Sequence, residues 1–223
     1  MIRTLIPALL LCASTAAGAQ PSTYRAVGTE PFWSVTVEWG SMIYQDAERR
    51  RVVVPARRSH VTATGARYGR GRLVMDVTRR TCSDGMSDRR YADTIRVRVD
   101  GRSLSGCGGA ILPPATLAGT SWRIIYLFGD DVSARDRYTL AFTGDRISGQ
   151  AGCNRFGGSY RVSSDGLQAG PLATTRMACI QPRVTHESQM LRLLRGRVRL
   201  FYPDGDTLVM RGDGGEVRLR RVV

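Results

Sequence analysis

Short runs in which apolar and polar residues alternate dominate the first half of the chain, with turn residues at intervals of roughly ten positions. This period of two is typical of antiparallel strands that bury one face. The clearest run, at 94–99, precedes Asp100-Gly101, a pair that favours a tight hairpin turn into 103–105. The pattern predicts further strands at 34–39, 51–54 and 73–77 and shows no helix in this half.

The second half combines strands with one helix. Strands are predicted near 122–128, 138–142, 147–150 and 158–162. From 184 to 195 the apolar residues recur mostly on one side of a helix, and Gly196 supplies its end: Val184, Met190, Leu191, Leu193 and Leu194. Runs at 198–201, 207–210 and 217–219, separated by glycine turns, predict a closing meander.

A Pro113-Pro114 step separates the two halves and forces an extended connector. About 200 residues after the leader suit one large domain or two small ones. We therefore predict a mainly β protein, α+β in its C-terminal half. It would comprise two small antiparallel β domains at 24–112 and 115–223, the second containing one helix.

Residues 1–19 have the pattern of a signal peptide. Arg3 precedes an apolar run at 5–11, and small residues lead to Ala19, after which we expect cleavage. The run is about half the ~20 residues that span a bilayer, so no transmembrane segment is expected. Cys12 could alternatively accept a lipid, but Leu11 stands where a small residue would be expected. The predicted location is the periplasm or the outer-membrane surface.

Four cysteines follow the leader, an even number in an exported chain: Cys82, Cys107, Cys153 and Cys179. Disulfides are expected in an oxidising compartment. The simplest of three connectivities joins Cys82 to Cys107 and Cys153 to Cys179, one pair in each half. Each bond would stabilise the fold by about 3.5 kcal/mol in the chain-entropy model.

The residues that carry metal or catalytic chemistry are sparse. No cysteine has a second one two to four positions away, and the histidines are His60 and His186, so no metal site is predicted. A Gly-x-Ser-x-Gly elbow is absent from the sequence. We expect no catalytic residues and no cofactor, with His186 solvated at the start of the helix.

The formal charge is +14, and all 33 basic residues are arginine. This charge favours anionic partners, which for an exported protein means envelope lipid or polysaccharide rather than nucleic acid. Three pairs alternate with apolar residues and should face solvent: Arg96 with Arg98, Arg197 with Arg199, and Arg218 with Arg220. They could grip anions bidentately or form a solvated surface that discourages aggregation.

The second half also contains several motifs in order: LAGTSW at 117–122, GQAGCNRFGGSY at 149–160, TTRMAC at 174–179, and Glu187. Over 115–223 they resemble the META/HslJ family. The resemblance implies a compact antiparallel sheet around a helix, an envelope location and a stress-response association, with no established enzymatic activity.

Two interpretations of these motifs stay open. Gly152, its neighbours and Asn154 could serve close backbone approach and turn geometry. Alternatively, Asn154, Arg155 and Arg176 could form a polar cluster that contacts a ligand or partner. The pair Arg96 and Arg98 is the corresponding candidate in the first half.

In the first half, GTEPFW at 28–33, CSDGMSD at 82–88 and GCG at 106–108 are similar to an uncharacterised exported domain that implies no activity. Phe32 and Trp33 are expected in the core, with an exposed groove lined by one of them as the alternative. Asp84 and Asp88 are expected to cap turns and pair with arginine, with a calcium loop as the alternative.

Taken together, these features favour a noncatalytic, stress-related envelope protein. A binding protein for a small apolar or anionic ligand is the alternative. An inhibitor of a lytic enzyme comes last, because lysozymes are commonly basic and would be repelled by a +14 chain. The oligomeric state and any cooperation between the two domains are left open.

Overall fold

The computed structural model describes residues 23–135 and 137–222. The predicted signal peptide and Cys12 lie outside these described residues. In the first half the strands are β1 (Tyr24–Thr29), β2 (Phe32–Glu38), β3 (Ser41–Asp46), β4 (Arg51–Pro55), β5 (Arg58–Thr62), β6 (Gly65–Arg70), β7 (Leu73–Thr78), β8 (Cys82–Ser83), β9 (Arg90–Val99) and β10 (Arg102–Leu112).

The second half contains the helix and the remaining strands of the described chain. These are β11 (Thr120–Leu127), β12 (Asp130–Asp131), β13 (Thr139–Thr143), β14 (Arg146–Gln150), β15 (Arg155–Ser163), β16 (Gly166–Ala169), β17 (Ala173–Thr174), α1 (Arg183–Arg195), β18 (Arg197–Asp204), β19 (Thr207–Gly212) and β20 (Gly215–Val222).

The first sheet is an open half-barrel of antiparallel strands. Its order is β4-β3-β2-β1-β10-β9-β7-β6-β5, and the short β8 pairs with β9. The sheet curls enough for β3 to approach β6. The close approach is seen at Gly69 of β6, where an added Cβ atom would lie 2.3 Å from Cε of Met42 on β3. The concave side is filled by the buried side chains of alternating positions, among them Met42, Met75, Ile95 and Val97.

The second sheet is a closed barrel. Its order is β12-β11-β13-β14-β15-β16-β18-β19-β20, and β11 also pairs with β20. Helix α1 packs against β16 and β18. Its buried residues Met190, Leu193 and Leu194 join a core that contains Trp122 and Phe142. The predicted fold class is therefore confirmed: mainly β, with two antiparallel sheets and one helix in the second half.

Each strand predicted in the first half is present, but several others escaped the sequence analysis: β1, β3, β5, β6 and β8. Strand β6 shows the reason. It contains Gly65 and Gly69 and ends in Arg70, residues with little preference for strands. Its neighbours β5 and β7 hold it in the sheet through backbone pairing.

The prediction for Phe32 and Trp33 is correct for one residue only. Trp33 is buried, whereas Phe32 is 55% exposed. Neighbouring residues of a strand point to opposite faces, so the two rings cannot both enter the core. Glycines make room for the buried indole, since a Cβ atom at Gly28 would lie 2.1 Å from Trp33 Nε1 and one at Gly106 would lie 2.7 Å from Cζ2.

The predicted disulfide pairing is confirmed. Cys82 is bonded to Cys107 with a Cα–Cα distance of 5.5 Å, and Cys153 to Cys179 with 6.0 Å. The first bond ties β8 to β10 in the half-barrel, and the second ties the start of β15 to the segment before α1. Each sheet thus has its own covalent link.

Candidate functional site

Asn154 lies at the centre of a buried polar cluster in the second sheet. Its Oδ1 accepts hydrogen bonds from Thr175 Oγ1 at 2.9 Å and from the Met177 N–H at 2.7 Å. Its Nδ2 donates to Met177 O at 3.3 Å and to both Glu187 carboxylate oxygens at 3.2 Å. The Asn154 side chain therefore ties together the start of β15, the segment after β17 and helix α1.

Close backbone approach at the same place explains one of the glycines. A Cβ atom at Gly152 would lie 2.4 Å from the carbonyl oxygen of Arg183 and 3.0 Å from Glu187 Cβ. Only glycine lets the first turn of α1 pack so closely on this loop. The interpretation of the motif as close packing is confirmed at this position.

The other predicted contact residues are placed on the surface and in two separate groups. Arg155 and Arg176 are exposed beside Asn154 in the second sheet. Arg155 also lines a shallow depression of about 540 Å³ that it shares with Arg137. Arg96 and Arg98 are exposed on β9 of the first sheet. The four arginines therefore do not belong to one constellation.

The alternating arginine pairs face solvent as predicted. On β20, Glu216 accepts hydrogen bonds from Arg218 Nε and from Arg211 Nε, both at 2.5 Å. Hydrogen bonds from Arg218 and then from Arg211 hold the pKa of Glu216 below its ordinary value. Arg218 also lies 5.0 Å from the Tyr126 ring centroid. Arg218 is therefore already paired with a carboxylate of the protein, that of Glu216.

His186 is buried, so the prediction of a solvated histidine is wrong. Tyr138 Oη lies 2.9 Å from its Nδ1, and Asp130 Oδ2 lies 2.8 Å from its Nε2. His186 lies on the inward face of α1, four residues before Met190. In this first turn of the helix, the sequence analysis had assigned only Val184 to the inward face. Val184 itself is 39% exposed. The polar partners Tyr138 and Asp130 make this burial tolerable.

Asp84 caps a turn, as predicted. It accepts hydrogen bonds from the Ser87 N–H at 2.9 Å, Ser87 Oγ at 2.8 Å and the Met86 N–H at 3.2 Å. Burial alone would raise the pKa of Asp84, but these hydrogen bonds outweigh it and hold the pKa below its ordinary value. Thr29 Oγ1 donates to Asp84 O at 3.0 Å, so the loop is attached to the β1–β2 turn.

Asp88 and Arg89 connect this loop to the second sheet through two crossed ion pairs. Arg221 Nη2 donates to Asp88 Oδ2 at 2.5 Å. Arg89 Nε and Nη2 donate to the two carboxylate oxygens of Asp206 at 3.2 and 2.9 Å. Each sheet contributes one acidic and one basic residue, and each of these pairs with a residue of opposite charge on the other sheet. The two ion pairs together favour one relative orientation of the sheets.

Arg221 is the residue of the contact between the two sheets that the sequence analysis missed. Its side chain is only 2% exposed, and within the described chain its Nε and Nη1 have no hydrogen-bond partner. On β20, Val217 and Leu219 point inward, and Arg221 occupies the next inward position, where an apolar residue would be expected. The sequence feature that could have revealed Arg221 is an arginine at a strand position that alternation predicts to face inward.

A groove of about 630 Å³ lies beside the connector between the sheets. Its lining includes Leu117, Tyr160, Val162, Leu200 and Tyr202. Val162 is 51% exposed there. The groove could receive an apolar group.

Residues 23–135 and 137–222 contain no group of three or more His, Cys, Asp or Glu side chains that could hold a metal ion. In the same part of the chain, no helix has the length and apolar character needed to cross a membrane.

One comparison with known protein families concerns the second half. Residues 115–222 match the family model of the META domain, which confirms the resemblance found there in the sequence. The half of the chain that forms the closed barrel therefore contains a META domain.

Two solved structures are similar to about half of the chain. A protein from Burkholderia xenovorans, solved by NMR, is 26% identical, covers 48% of this chain and 84% of its own, and has a TM-score of 0.40. A second NMR structure is 22% identical, covers 47% of this chain and 90% of its own, and has a TM-score of 0.42. No curated protein matches the chain.

Proposed function

We propose that this protein is an exported, noncatalytic envelope protein of META/HslJ type that supports envelope integrity under stress. The observation that carries the proposal is the presence of one disulfide in each sheet, Cys82–Cys107 and Cys153–Cys179. Such bonds form and persist in oxidising compartments. The META match supports the association with stress.

The contacts of the polar residues support a noncatalytic role. The Asn154 side chain is bonded to Thr175, Met177 and Glu187. His186 is buried between Tyr138 and Asp130. Burial raises the pKa of Tyr138, so its hydroxyl stays protonated at neutral pH. These groups hold the fold together.

The export proposal is tested by trapping free thiols in cells that express the full chain. Alkylation before reduction should leave the four described cysteines unmodified, whereas a variant that lacks residues 1–19 should be alkylated. Free thiols at any of the four described cysteines of the full chain would contradict the proposal.

The stress proposal is tested in a strain that lacks the protein. This strain should be sensitive to detergent and osmotic shock, and the full chain should restore resistance while the variant without residues 1–19 should not. Normal resistance of the deletion strain would contradict the role. Turnover of a substrate by the purified protein would contradict the noncatalytic part alone.

The groove beside the connector favours a second candidate function, the binding of a small apolar ligand. Native mass spectrometry of gently purified protein should then show a bound species that the variant Val162→Arg lacks. Val53→Arg is the matched control, because Val53 is 49% exposed on β4 and does not line the groove. Equal retention by both variants would contradict this function.

A further inference from the structure

Three arginines line one cleft of the closed barrel, at the start of α1. The cleft holds about 430 Å³ and is lined by Arg135, Arg137 and Arg183 together with Tyr138, Gly152 and Cys153, among others. Its volume falls within the roughly 300–1,000 Å³ of small-ligand pockets. The cleft is separate from the apolar groove beside the connector.

Within the described chain, none of the three guanidinium groups has a carboxylate partner. Nearby acids are engaged elsewhere: Asp130 with His186, and Glu187 with Asn154. The first turn of α1 contains no acidic residue. Asp136 stands between two of the arginines in the sequence and lies outside the described residues. Counted over the described residues, the cleft has more positive than negative charge.

Elsewhere in the described chain, several arginines do have a carboxylate partner. Arg67 is paired with Asp76, Arg72 with Asp100 and Arg89 with Asp206. On the outer face of the barrel, Glu216 serves two arginines at once. At the cleft, by contrast, like charges share one concave surface, and their mutual repulsion would be relieved by a bound anion.

Two of the three arginines have contacts that position them in the cleft. Arg135 Cζ lies 5.8 Å from the centroid of the Tyr138 ring, and Tyr138 Oη is bonded to the buried His186. Arg183 is held where the helix packs on Gly152. Burial raises the pKa of Tyr138, and the charges of Arg135 and Arg183 act to lower it.

We infer that this cleft binds a phosphate group, either as a soluble phosphate or as part of a phospholipid headgroup. Guanidinium groups bind phosphate oxygens through paired, charge-assisted hydrogen bonds. A phosphate offers more acceptor oxygens than a carboxylate, so one phosphate can bind several arginines at once. The neighbouring depression shares Arg137 and adds Arg155, so the basic surface continues beyond the cleft.

The test titrates the purified full-length mature protein with inorganic phosphate, with glycerol phosphate, and with phosphatidylcholine vesicles with or without phosphatidylglycerol. Binding is followed by calorimetry and by the NMR signals of arginine Nε–H groups. The double variant Arg137→Ala/Arg183→Ala removes two exposed guanidinium groups from the cleft. The matched control is Arg79→Ala/Arg80→Ala, which removes the same charge from the exposed segment between β7 and β8.

Saturable binding that falls about tenfold or more in the cleft variant and stays unchanged in the control is the expected result. Binding of the soluble phosphates identifies a free phosphate compound, and binding only of phosphatidylglycerol vesicles identifies a lipid headgroup. Equal weakening in both variants would show nonspecific attraction and overturn the inference, as would no saturable binding in any arm. Unchanged thermal unfolding of both variants shows that they are folded.

Discussion

The two sheets of this protein differ in how they protect the unpaired backbone edges of their strands. In the second, β11 pairs with both β13 and β20, so the sheet closes and a helix completes its core. In the first, the sheet stays open between β4 and β5. Closure removes the unpaired backbone edges that an open sheet presents to solvent.

The open sheet compensates with local devices. Its edge strand β4 contains Arg51 and Pro55, which discourage pairing with another chain. Its Cys82–Cys107 bond and Asp84 turn hold a loop whose last residue, Asp88, reaches Arg221 of the closed barrel. The half-barrel is thus stabilised partly by its neighbour, whereas the closed barrel has a more complete core of its own.

The largest expected effect comes from truncating the central tryptophan of each sheet. Trp33→Ala and Trp122→Ala should each lower the free energy of unfolding by about 3–5 kcal/mol, because both indoles are buried. Denaturant unfolding measures the loss. Trp39→Ala is the control, since Trp39 is 81% exposed and should change little.

Replacement by phenylalanine sharpens the comparison. Trp122 Nε1 donates to Thr120 Oγ1 at 2.7 Å, whereas Trp33 Nε1 is buried without a hydrogen-bond partner among the described residues. Trp122→Phe should therefore cost about 1 kcal/mol more than Trp33→Phe. Equal costs would show that the two indoles are equivalent.

Removing either disulfide comes next in size. Cys82→Ser/Cys107→Ser and Cys153→Ser/Cys179→Ser should each lower stability by about 3.5 kcal/mol. Only the first pair supports the loop that docks on the other sheet, so only its loss should increase cleavage of the 113–116 connector by a protease. The same increase in both variants would refute the assignment of that loop as the link between the sheets.

The crossed ion pairs give an asymmetric prediction. Asp88→Asn leaves the buried Arg221 charge without its partner and should cost about 2–3 kcal/mol. Arg221→Met removes that charge and lets the half-exposed Asp88 become hydrated, so its cost should stay within about 1 kcal/mol. Thermal unfolding measures both. A larger loss for Arg221→Met would contradict the burial argument.

The smallest effect is the acid dependence of the Asp84 turn. The folded-state pKa of Asp84 lies below its ordinary value of 3.8. Its contribution to stability is therefore complete above that value and is lost as the pH falls through the folded-state pKa. Asp84→Asn should flatten this part of the stability profile of the half-barrel, which is measured by unfolding at a series of acidic pH values. An unchanged profile would exclude the turn as a source of acid sensitivity.

The local sequence pattern was sufficient for the elements with clear periodicity. Alternation predicted β7 and most of β9, and the one-sided run of leucines predicted α1 nearly to its ends. It failed at Phe32, which shared a motif with Trp33, and at β6, whose glycines conceal a strand. Such positions depend on which face the neighbouring strand leaves free.

The sequence by itself determined the β class, the two disulfides and the outward-facing arginines, because periodicity and cysteine spacing act over short distances. Only the tertiary structure decided that β11 pairs with β20, that His186 is buried beside Tyr138, and that Arg221 forms an ion pair with Asp88. These contacts join residues far apart in the chain. Their partners depend on how the whole sheet closes, which no local pattern specifies.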